Sequence, residues 1–94
     1  MASTKDYLDY VLDLLREVDN ISYRKMMGEY ILYKDDIIFG GIYDNRFLVK
    51  KAKGLEEYGF REEIPYPTGK PMYLVDIEDA NRISEIVNTI ISNV

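Results

Sequence analysis

The sequence predicts an α+β fold, an antiparallel β-meander of about five strands with an N-terminal and a C-terminal helix packed on one face. Three observations carry that expectation. Apolar residues recur at three- and four-residue spacing at both ends of the chain. Between those ends, residues 21–50 break into short apolar runs separated by pairs of turn-forming residues. The 94 residues, 47% hydrophobic and 31% charged, suit one globular domain over 1–94, large enough for a single core without disulfide or metal staples.

The first helix is marked by Leu8, Val11, Leu12, Leu15 and Val18, with Asp9, Asp13, Arg16 and Glu17 on the opposite side. Ser3 is its expected N-cap and Asp6 a short capping-box partner whose charge suits the positive helix end; Asp19-Asn20 is the expected stop. Ile21 to Met27 reads as the first strand, ending at Gly28, and Tyr30 to Lys34 as the second. Asp35-Asp36 turns the chain into a third strand from Ile37, and Asp44-Asn45 turns it into a fourth, Phe47 to Lys50. Loops this short make neighbouring strands antiparallel. Lys53 to Tyr58 is expected to form one or two helical turns closed by Gly59, followed by an extended segment in which Pro65, Pro67 and Pro71 fall close together. Met72 to Val75 is the fifth strand, expected at a sheet edge because Pro71 has no amide to donate. Ile83, Ile86, Val87, Ile90, Ile91 and Val94 then define the apolar face of a terminal helix capped by Asp76 or Asp79.

The central strands do not alternate cleanly. In Ile37-Ile38-Phe39-Gly40-Gly41-Ile42-Tyr43 both sheet faces receive apolar side chains, whereas two helices shield only one. The other face is therefore expected to carry exposed aromatic surface, the proline-bearing segment as a cover, or a second subunit. The 9 tyrosines fit such a surface, because each combines apolar area with a polar tip, although tyrosine is also a good strand residue. Gly40 and Gly41 inside a strand call for a bulge or an overlying ring or helix, or for a ligand against the backbone. With Gly28 they form the structural glycines of this reading.

Composition excludes more than it proposes. With no Cys and no His, disulfides, thiolate zinc sites, imidazole ligands and the usual nucleophile–base pairs all drop out. No phosphate-binding glycine loop occurs, no cofactor is expected, and no apolar run approaches a membrane span or a signal-peptide core. A cytoplasmic protein without catalytic machinery is the expectation. The net charge of −5 disfavours nucleic acid as a partner, but its distribution is uneven. Residues 24–53 hold seven basic and four acidic residues, while the flanking segments are acidic. Either acidic helices lie beside a basic sheet, or the sheet presents a surface to an acidic partner.

Arg24-Lys25-Met26-Met27-Gly28-Glu29-Tyr30, the run from Phe39 through Gly40-Gly41-Ile42-Tyr43-Asp44-Asn45-Arg46 to Lys50, and Pro65-Tyr66 with Gly69-Lys70-Pro71-Met72 resemble the N-terminal domain of the TfoX/Sxy family. The family takes its name from regulators of natural competence in bacteria. The resemblance implies a helix, an antiparallel sheet and packing helices. It also implies a role in promoting transcription beside a general activator protein, without enzymatic activity or a settled catalytic residue set. The larger regulators carry a C-terminal helical domain, so a stand-alone single-domain member is the expectation here.

Three functions follow as expectations. The first is a regulatory protein-interaction module, with a protein partner or itself as a homodimer. Its surface would draw on Arg24, Lys25, Tyr30, Tyr33, Tyr43, Arg46, Lys50, Lys51, Lys53, Tyr66 and Lys70. The second is nucleic-acid binding through the same cations with interleaved aromatics. The third is a ligand pocket or enzyme in which Glu29, Tyr30, Lys50 and Tyr66 converge.

Overall fold

The computed structural model describes residues 2–93, so Val94, expected on the apolar face of the terminal helix, lies outside the described residues. Helix α1 spans Lys5–Leu14 and helix α2 spans Ala80–Ser92. Between them run β1 (Ile21–Met26), β2 (Glu29–Lys34), β3 (Ile37–Ile42), β4 (Phe47–Val49), β5 (Glu62–Glu63) and β6 (Met72–Leu74). All neighbouring strands are antiparallel, in the order β1-β2-β3-β4-β6-β5. The α+β arrangement with a helix at each end is thus as expected, with six strands rather than about five. The meander holds through β4. The Met72 strand is not an edge: β5 passes outside it and pairs Glu62 with Tyr73 and Glu63 with Met72. Pro71 precedes the ladder, so its missing amide leaves no ladder hydrogen bond unmade.

Three two-residue turns set the register of β1 to β4. Met27-Gly28 (φ 52° and 83°), Asp35-Asp36 (51° and 64°) and Asp44-Asn45 (52° and 55°) each place both central residues in the left-handed region. That is the type I′ geometry, whose twist matches the flanking strands. Asp and Asn reach it readily, Met does not.

The helix stops are also local chemistry. Thr4, not Ser3, caps α1, its Oγ1 accepting the Tyr7 amide at 3.1 Å. The Ser3 hydroxyl is otherwise engaged, as described below. The α-helix ends at Leu14, before the expected Asp19-Asn20 stop, and an irregular turn then buries Leu15 and Val18. Asp79 caps α2 by accepting the amides of Asn81 and Arg82. The segment after β4 forms a single 3₁₀ turn, Glu56–Tyr58, closed by Gly59 at φ 66°.

Register decides which side chains meet the helices. Tyr30 pairs with Ile42, Ile42 with Phe47, Leu32 with Gly40, Gly40 with Val49 and Val49 with Tyr73. These side chains share one core with Leu8, Val11 and Leu14 of α1 and Ile83, Ile86, Val87 and Ile90 of α2. A bulge between Leu32 and Tyr33 leaves Phe39 opposite no partner, which lets Phe39 enter the core while Ile38 turns away beside Tyr33. The uneven apolar pattern of β3 has that cause.

Candidate functional site

The face of the sheet away from the helices is built from the alternate positions: Arg24, Ile31, Gly41, Leu48 and Leu74 across the strands, with Tyr33 and Ile38 beyond the bulge. Its centre is sealed. Leu48 is fully buried although it belongs to no helix-facing cluster. Over Gly41 lies the Tyr43 ring, so close that a Cβ at Gly41 would stand 2.7 Å from the ring and 2.7 Å from the Tyr30 carbonyl oxygen. Gly40 is held to the bare backbone for a related reason, since its Cβ would lie 2.4 Å from the Leu48 carbonyl oxygen. An overlying ring, one of the alternatives expected for this glycine pair, stands over Gly41, whereas Gly40 is approached by backbone. Tyr66 packs on Tyr43 in turn, ring centroids 6.1 Å apart, and brings Pro65 with it.

Arg46 fastens this cover. From the β3–β4 turn its Nε donates to the Tyr43 carbonyl at 3.1 Å and its Nη1 to Glu63 Oε1 at 2.9 Å. Its Nη2 reaches the carbonyls of Ile64 and Pro65 at 3.3 and 3.5 Å. A planar guanidinium makes this many directed bonds where an ammonium does not. Burial raises the Tyr43 phenol above the usual tyrosine range, with the nearby Tyr66 and Glu29 acting in the same direction.

A second tether fixes the N-terminal segment at the other side of the cover. The Ser3 hydroxyl donates to Glu29 Oε1 at 2.6 Å and accepts the Asn45 amide at 3.0 Å, while the Ser3 amide donates to the Gly28 carbonyl at 3.0 Å. Glu29 also accepts the Asp44 amide at 3.1 Å. This places Ala2 directly against Gly28. The contacts span up to 42 residues, and no local sequence pattern signals them.

The Pro65-Tyr66 cover is narrower than the sheet, and a groove remains on each side of it. The first, of about 600 Å³, is walled by Ala2, Met26, Met27, Ile31, Pro65 and Tyr66, with Glu29 and Tyr43 below. The second, of about 580 Å³, lies among Ile38, Tyr66, Met72, Lys50 and Lys70. Of the seven large apolar side chains that stand exposed among the described residues, Met26, Met27, Ile38 and Tyr66 line these grooves. Met27 is 96% exposed at φ 52°, an apolar side chain set in water on a backbone conformation it disfavours.

The cations named from sequence do not form one surface. Lys50 and Lys70 share the second groove, and Arg24 lies on the same face beside Tyr33. Arg46 is committed to the cover, and Lys51 to Glu62 at 3.0 Å and to the Tyr73 ring at 5.8 Å. Lys25 pairs with Tyr30 on the helix side, and Lys53 stands at the end of α2, where Asn93 donates to its carbonyl. Tyr30 is a core residue, 5% exposed. Glu29, Tyr30, Lys50 and Tyr66 do not converge: Tyr30 faces the helices, Glu29 is bonded within the chain, and Lys50 lies in the other groove. Among the described residues no cluster of acidic side chains is arranged to hold a metal ion, and no helix is long and apolar enough to cross a membrane.

The chain is similar to a protein of Spirochaeta aurantia named "Uncharacterized 12.7 kDa protein in trpE 5'region", with 32% identity over 91 residues, covering 93% of this chain and 79% of the relative. Residues 13–73, from the end of α1 through β6, match the TfoX N-terminal domain; the hairpins, the glycine pair and the Pro65-Tyr66 cover all fall within that span, and the chain belongs to the TfoX N-terminal domain family.

Proposed function

We propose that the chain is a non-enzymatic regulatory module that docks a protein partner on the sheet face opposite its helices. The observation that carries this reading is the side-by-side placement of Met26, Met27, Tyr66 and Ile38 along two grooves that the chain's own cover leaves open. Apolar area held in water costs free energy, about 25 cal/mol per Å², which a partner recovers by covering it. Methionine suits such a surface because its unbranched side chain adapts to the partner's shape. Nucleic acid is the weaker reading, because of the proposed cations on this face Arg46 and Lys51 are already paired with Glu63 and Glu62, leaving Arg24, Lys50 and Lys70 without an ion pair among the described residues.

Photo-crosslinking with an unnatural aromatic residue tests the reading. It is placed at Met27 and Ile38 on the sheet face, and at Asp9 and Glu85 on the helices as controls. The expected result is one protein, identified by mass spectrometry, joined from both sheet positions and from neither control. Adducts from the helices alone, or none from the sheet face, overturn it.

A further inference from the structure

We infer that the groove between Ile38, Tyr66 and Met72 takes an acidic segment of the partner, apolar anchors seated on those side chains and carboxylates on Lys50 and Lys70. This rests on the docking reading above and adds the partner's chemistry to it. The chain has 17 acidic and 12 basic residues, yet no carboxylate lines this groove. Its charged side chains are Lys50, Lys51 and Lys70. The companion groove contains Glu29, and clefts elsewhere on the molecule contain Glu78, Glu57 or Asp36. Lys51 is drawn to Glu62, whereas Lys50 and Lys70 make no ion pair among the described residues.

Geometry and charge then act together. Ile38 and Tyr66, 39% and 54% exposed, give an apolar floor flanked by the two ammonium groups. A cationic rim around an apolar floor favours a segment that alternates acidic and large apolar residues, and steers its approach. A basic segment meets like charge here, and a purely anionic one leaves the floor exposed. The net charge of −5 sharpens the choice, since the molecule as a whole disfavours an acidic partner and this carboxylate-free groove offsets that locally.

The test is an amide NMR titration of the ¹⁵N-labelled chain with three probes. These are a short amphipathic peptide with Leu and Phe anchors and Glu elsewhere, its counterpart with Lys replacing every Glu, and an oligothymidylate. The Glu peptide is expected to move the amides of Ile38, Lys50, Lys70 and Met72. Its affinity should fall at least tenfold in the Lys50→Glu/Lys70→Glu double variant, recover in Lys50→Arg/Lys70→Arg, and weaken with salt. Thermal melting of the exposed-site variants checks that the fold is intact. Equal binding of the Lys counterpart, or no binding of the Glu peptide, overturns the inference. Response to oligothymidylate alone overturns it in favour of a phosphate partner. Peptide binding confined to the Met26–Met27 groove, lost in Met27→Ser and kept in the Lys50/Lys70 variant, overturns this inference while leaving the docking face intact. Silence of both grooves together with failed crosslinking removes both.

Discussion

The two faces of one sheet contrast sharply. Toward the helices, Leu32, Phe39, Ile42 and Val49 are fully buried against two amphipathic helices. Away from them, the same strands are covered only along a narrow line, by Tyr43 and Tyr66 held down through Arg46, and apolar side chains stand open on either side. One face is organised for stability; on the docking reading proposed above, the other trades exposed area for contact. Substitutions should therefore separate: large stability losses on the helix side, and on the open side losses of binding with little change in stability.

The largest effect is expected at the core. Phe39→Ala removes a fully buried ring seated at the bulge and should destabilise by about 3–5 kcal/mol in urea unfolding. A smaller loss would mean that the bulge collapses around the cavity. Next comes the fastening of the cover. Arg46→Ala removes its bond to Glu63 and its contacts with three carbonyls, at a position about a quarter exposed. About 1–2 kcal/mol is expected, with amide exchange accelerating through residues 62–71 and little change in α1 or α2. Equal acceleration everywhere would show that cover and core are one cooperative unit.

Met27→Asn should have the opposite sign. Asn-Gly is the favoured pair for a type I′ turn, so thermal denaturation should show a gain of roughly 0.5–1 kcal/mol. Partner affinity should fall in the same variant, a trade expected only if Met27 is there for contact. The smallest effect is a pH effect. Because the Tyr43 phenol is raised in the folded chain, its contribution to stability is complete below pH about 10 and is lost as pH climbs through the higher folded value. Tyr7 and Tyr10 shift in the same direction, Tyr7 from burial and Tyr10 from its bond to Glu78. The difference between wild type and Tyr43→Phe in alkaline unfolding isolates the cover.

Those contrasts also explain what was legible in the sequence. Both helices, five of the six strands within a residue or two, and the turns at Asp35-Asp36 and Asp44-Asn45 follow from periodicity and turn chemistry, which act over a few residues. Asp79 is one of the two caps the sequence offers, beside Asp76, and Gly59 is readable as a stop for the same reason. The short Glu62–Glu63 strand is not, because its place depends on Arg46 and on pairing with Met72, remote in sequence. Ser3 looked like a cap, and only the arrival of Glu29 and Asn45 in space diverts it. The doubled apolar pattern of β3 called for exposed aromatic surface, a cover or a second subunit on this face, and the face carries both a cover and exposed apolar side chains. Its division into two grooves is not legible in the sequence, because that requires knowing where Tyr66 lands. Tyr30 and Arg46, read as surface groups, serve the core and the cover instead, since residue type alone does not tell which side of a strand a side chain takes.

On the docking reading, the open face is kept for a partner rather than for the fold. Isothermal titration of the crosslinked partner, once purified, against wild type and Ile38→Glu, with a thermal melt of each, tests it directly. Affinity should fall at least tenfold, roughly 1.4 kcal/mol, with the melting temperature essentially unchanged. Unchanged affinity, or a melting temperature that collapses with it, would overturn that reading.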